Sequence, residues 1–154
     1  MQENYLIDIL GRQKVDDESG EIQVTTLGSY VKKGNNRYIT YKEYDNEENG
    51  KPITSVLKIE GTQKVTLMRG GADGTRLVLE NGKRHLCQYD TGYGHMMVGI
   101  FTSRLHSSLT DEGGKLEVRY TLDINSNLSS SNEILITVKE AENKDVKISA
   151  AGNQ

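Results

Sequence analysis

The side chains able to do chemistry fall in a few short stretches. TYKEYDN carries Tyr41 and Glu43, TLMRGGADG carries Arg69, CQYDTGYG carries Tyr89 and Thr91, and VRYTL carries Tyr120. A guanidinium holds a carboxylate or phosphate through charge-assisted hydrogen bonds, and tyrosines supply apolar walls with a polar tip. On a strand, residues two apart share a face. Glu43 therefore shares a face with Ile39 and Tyr41, Arg69 with Val65 and Leu67, and Thr91 with Tyr89. If those faces line an interior, Glu43, Arg69, Tyr41, Tyr89, Thr91 and Tyr120 converge there, with Thr102 beside them. A charge on an inward face is costly to bury unless it is paired. Two readings follow. Either Glu43 and Arg69 pair and close one end of the interior, or they hold a ligand near its mouth.

Other chemistry has less behind it. His85 and Cys87 share a face, but His95 and His106 stand apart. A zinc site needs three or four ligands, so no metal is expected. Cys87 lies in the apolar-rich run HLCQY, where a thiol is structural and inert. MRGGADGTRL has no Gly-Lys-Ser/Thr and no following helix, so it reads as a hairpin loop rather than a phosphate cradle. No Gly-x-Ser-x-Gly elbow occurs. No catalytic residue and no cofactor are assigned, and an enzyme has no motif behind it. The run YDTGYGHMM, Tyr89 to Met97, reads as a sharp bend between strands, with Gly92 and Gly94 turning the chain and Tyr93 capping an end.

The elements that would position these residues have period two. KLEVRYTLDI puts Leu116, Val118, Tyr120, Leu122 and Ile124 on one face and charged or polar residues on the other. That is a half-buried antiparallel strand. EILITVKE repeats it with Ile134, Ile136 and Val138. Turn signals separate such runs, among them KKGNN, DNEENGKP, GGADG, ENGK and DEGG. The one helical candidate is TSRLHSSLTDEG, where Leu105 and Leu109 sit four apart. The expectation is an all-β fold, a closed antiparallel up-and-down barrel of about 8–10 strands, because the strands arrive as successive hairpins and closure removes unpaired edges. Residues 1–141 form one domain, and residues 142–154, where the pattern is lost, form a frayed C-terminal tail.

Composition bounds the partners. The 154 residues carry a net charge of -3 and no basic run, which argues against nucleic acid. The single cysteine cannot form an internal disulfide, which fits a reducing compartment. No basic start with a long apolar run marks a secretory signal, and no apolar run approaches the roughly 18 residues of a membrane span. A soluble cytoplasmic protein with no membrane partner is expected.

The succession GSYVKKGNNRYITYKEYD, SVLKIEG, KVTLMRGG, LVLENGKRHLCQYDTGYGHMMVGIFTSRL, GGKLEVRYTLDIN and SSSNEILITVKE resembles the YwiB-like family of small bacterial β-barrel proteins. The resemblance runs from about Ile7 to Val138. Its most specific pieces are Tyr41 to Glu43, Leu57 to Ile59, Arg69 to Gly71, and Tyr89 to Gly94. It implies a lipocalin-like, calycin-type barrel, and the family brings no established activity. The expected function is a small cytoplasmic barrel that binds a small anionic ligand in or at its mouth. The alternative is a structural or protein-interaction barrel with a fully packed interior.

Overall fold

The computed structural model describes residues 3–44, 52–71 and 74–141. Ten strands account for nearly all of them: β1 (Tyr5–Val15), β2 (Glu18–Lys33), β3 (Asn36–Tyr44), β4 (Pro52–Glu60), β5 (Lys64–Arg69), β6 (Thr75–Glu80), β7 (Arg84–Asp90), β8 (His95–Ser107), β9 (Gly113–Ile124) and β10 (Asn127–Glu140). Each strand pairs antiparallel with its sequence neighbours, and β1 also pairs with β10, from Tyr5↔Glu140 to Lys14↔Ser131. The sheet is thus a closed up-and-down barrel. Ten strands exceed the eight of lipocalins.

Alternation explains the closure. Along β9, Leu116 and Val118 are 0% and 2% exposed while Lys115 and Arg119 face solvent. Ile7, Ile39, Ile59, Val65, Leu79 and Ile100 meet them in the interior, none more than 2% exposed. Each such side chain contributes about 1.5–3 kcal/mol by leaving water. The middle of the barrel is therefore packed with branched aliphatic side chains.

The two ends differ. The lower end carries the β2–β3, β4–β5, β6–β7 and β8–β9 turns, and side chains plug it. Tyr30 donates its hydroxyl to the Thr110 carbonyl at 2.5 Å, and its ring packs edge-on against Tyr5. Arg37 pairs with Asp111 at 3.0 Å over the same end. The upper end carries the β1–β2, β5–β6, β7–β8 and β9–β10 turns, together with the end of β3 and the start of β4.

Three expectations change. TSRLHSSLTDEG is no helix: β8 runs extended to Ser107 and the chain reverses through a turn closed by Thr110 N–H to Gly113 O at 2.7 Å. A four-residue leucine spacing cannot outweigh strand pairing on both sides of β8. The strands also run beyond the alternating stretches that mark them in the sequence, β2 reaching 16 residues. Tyr93 does not cap the barrel, since it is fully exposed at the tip of the β7–β8 bend. The tail at 142–154 and most of the DNEENGKP turn lie outside the described residues.

Candidate functional site

Strand register brings the candidate residues together at the upper end. Tyr41 on β3 lies directly opposite Ser55 on β4, and Ser55 lies opposite Arg69 on β5. These three form one inward row across three strands. Glu43 follows Tyr41 on the same face, two residues nearer the rim. Its Oε2 accepts from Arg69 Nε at 2.8 Å and from Ser55 Oγ at 3.1 Å. The Arg69 and Glu43 side chains remain 45% and 31% exposed, so the pair sits at the rim and not in the core.

Below the pair the environment dries out. Ser55 is 0% exposed and Tyr41 8%. Burial pushes the Tyr41 phenol up, and the Glu43 carboxylate adds to this, while Ser55 and Arg69 partly offset it. For Arg69, partial burial pulls the guanidinium down. The hydrogen bond and charge of Glu43, with Tyr41 and Tyr89 nearby, outweigh that and leave it raised.

Tyr89, on β7, lies near enough that its phenol, once ionised, raises both Arg69 and Tyr120. Tyr89 itself is 38% exposed. Tyr120, on β9, is a half-buried phenol. Burial, with a smaller contribution from Tyr89, pushes that phenol up to about 12. Thr102 lies opposite Tyr120 and is fully buried, and its hydroxyl finds no hydrogen-bond partner among the described residues. The mouth is therefore a rim ion pair over phenols and the buried Ser55 hydroxyl. Such a set can orient an anion and cover its apolar part. Among the described residues no three His, Cys, Asp or Glu side chains are placed to hold a metal ion.

Thr91 does not join this set. It is exposed, its hydroxyl donates to the Gly94 carbonyl at 2.9 Å, and it accepts from Tyr93 N–H at 3.2 Å. β7 ends at Asp90, so alternation no longer governs the next residue, and a turn claims the side chain. The bend itself is as expected, with Gly92 and Gly94 at φ 87° and 133°. Ser55 was missed by sequence reasoning. Alternation with Leu57 and Ile59 puts it on the inward face, but only register shows that it meets Tyr41 and Arg69. His85 and Cys87 are engaged elsewhere: the His85 ring contacts Glu80 Oε1 at 2.8 Å, and Cys87 Sγ accepts the Val78 N–H at 3.3 Å.

Comparison with known proteins agrees with this architecture. The family model described as "Domain of unknown function (DUF1934)" matches residues 7–136. The chain is 24% identical over 139 residues to the "Uncharacterized beta-barrel protein YwiB" of Bacillus subtilis (strain 168), a match covering 89% of this chain and 95% of that protein. The crystal structure of the ywiB protein from Bacillus subtilis superposes with a TM-score of 0.77 at 20% identity, covering 90% of this chain and 92% of the other. That likeness concerns the fold.

Proposed function

The chain belongs to the DUF1934 family, whose domain carries no assigned activity, and from that premise we propose that it is a binding barrel taking a small anionic ligand at its upper mouth. One observation carries the reading. Arg69 stands at the rim, close to half exposed, and meets Glu43 through Nε. A guanidinium has further donors on its terminal nitrogens, and these are suited to a carboxylate or phosphate arriving from solvent. Glu43 and Ser55 fix the arginine in place. Tyr41, Tyr89 and Tyr120 supply the wall behind it. The packed middle of the barrel restricts the ligand to the mouth and argues against a deeply enclosed one.

The same packing favours a second reading, a barrel that serves only as a rigid interaction scaffold. The single cysteine is consistent with a reducing compartment, and we place the protein in the cytoplasm. The net charge of -3 makes nucleic acid a poor partner.

A thermal-shift screen with benzoate, citrate, phenyl phosphate and their neutral amide or alcohol counterparts tests the binding reading. A ligand at about 100 times its Kd stabilises the folded state by about 2.7 kcal/mol. For a domain of this size that raises Tm by about 2–4 °C per kcal/mol. Anions are expected to raise Tm and their neutral counterparts are not. A flat response across the anions leaves the scaffold reading.

A further inference from the structure

The geometry points to a second binding site, on the outside of the barrel, for a single-tailed amphiphile with an anionic head. A concavity of about 740 Å³ opens on the outer face of β4 to β7, lined by Thr54, Val56, Met68, Val78 and Leu86, with Arg76 and Gln88 on its wall and Cys87 at its floor. Cavities of roughly 300–1,000 Å³ are the usual size for small-molecule sites. The lining is unusual for an outward strand face, which should be polar in an antiparallel barrel whose core lies inside. Val56 lies opposite Met68, Met68 opposite Arg76, and Arg76 opposite Gln88, so one row crosses all four strands. Leu86 is 65% exposed.

Two further observations specify the occupant. β6 and β7 share a single register pair, Arg76↔Gln88, while every other neighbouring pair of strands is zipped over at least six positions. Below that pair the Val78 N–H turns to the Cys87 thiol instead of a strand carbonyl. The sheet is splayed there, and the splay is floored by Val78, Leu86 and Cys87. An alkyl chain fits such a crevice and withdraws this apolar surface from water. Arg76 is the second observation. It is exposed, and it is the only arginine that makes no ion pair among the described residues. An arginine with no carboxylate partner among the described residues, at the edge of an apolar crevice, complements an anionic head with an alkyl tail. This site is independent of Arg69 and the mouth.

The test is titration of the intact protein with decanoate, kept below its micelle-forming concentration, while methyl resonances are followed by NMR. Shifts are expected at Val56, Met68, Val78 and Leu86. Arg76→Gln should weaken binding by about tenfold, the loss of one charge-assisted hydrogen bond. Leu86→Asp should abolish it, and neither exposed substitution should disturb the fold. Decyltrimethylammonium, with the same tail and a cationic head, should bind at least about tenfold more weakly than decanoate. The proposal is overturned if decanoate perturbs only residues around Tyr89 and Tyr120, if it perturbs none, if both variants bind it as the unaltered protein does, or if the cationic amphiphile binds equally well.

Discussion

Arg69 Nε donates to Glu43 Oε2 at 2.8 Å across β4, which lies between their two strands, and the buried Ser55 on that strand donates to the same oxygen at 3.1 Å. One carboxylate oxygen thus gathers three strands at the upper end of the barrel. Because the pair stays 45% and 31% exposed, water screens it and its worth to stability is small. Arg69→Ala should lower unfolding stability by no more than about 1 kcal/mol. Urea denaturation measures this. A loss of several kcal/mol would mean that the pair is a structural closure of the barrel and not a ligand anchor.

Tyr120 gives the mouth a pH signature. Burial pushes its phenol up to about 12 in the folded state, against 10.0 for an unperturbed tyrosine. A raised folded value means that its contribution is fully present below pH 10 and is lost as pH rises toward 12. The loss is on the order of 2–3 kcal/mol for a shift of this size. Tyr41 and Tyr30, both raised by burial, act in the same direction. Tyr120→Phe should flatten part of this alkaline decline in denaturant midpoints. An unchanged slope would show that the Tyr120 phenol is open to water.

Two glycines should respond to substitution for different reasons. A Cβ on Gly28 would run into Ile7 Cδ1 and the Thr40 carbonyl oxygen, inside the packed barrel. Gly28→Ala should cost about 1–3 kcal/mol by overpacking. Gly94 has open space around it, but its φ of 133° lies where side chains are strained. Gly94→Val should cost about 1–3 kcal/mol through the backbone alone. Thermal melts of the two variants check both, and a Gly94→Val protein as stable as the original would remove the backbone account of the bend.

Cys87 should be inert in the native protein. It is 3% exposed, and burial pushes its thiol up, only partly offset by the Val78 N–H. Reaction with a disulfide reagent near neutral pH should be slow until urea opens the barrel. Rapid labelling under native conditions would contradict the burial of the Cys87 thiol.

Much of this was legible in the sequence. Period-two patterns in KLEVRYTLDI and EILITVKE define β9 and β10, and successive turn signals imply the up-and-down order. Glu43 and Arg69 could be paired on paper because a charge at the end of an inward face needs a partner. What sequence could not supply was register. Ser55 joins the site only because it lies opposite both Tyr41 and Arg69. Thr91 was misplaced because alternation was carried one residue beyond the end of β7, where turn hydrogen bonds decide orientation. The outer crevice had no sequence signal at all, since Val56, Met68, Val78 and Leu86 are far apart in the chain and look like ordinary strand residues.

The central claim, that Arg69 anchors an anion at the mouth, is tested most directly by calorimetric titration of the best anion from the thermal-shift screen into the protein and into Arg69→Gln. The account predicts saturable binding to the former and at least about tenfold weaker binding to the variant, with the fold of both intact. Equal affinity for both proteins, or no binding to either, would contradict it.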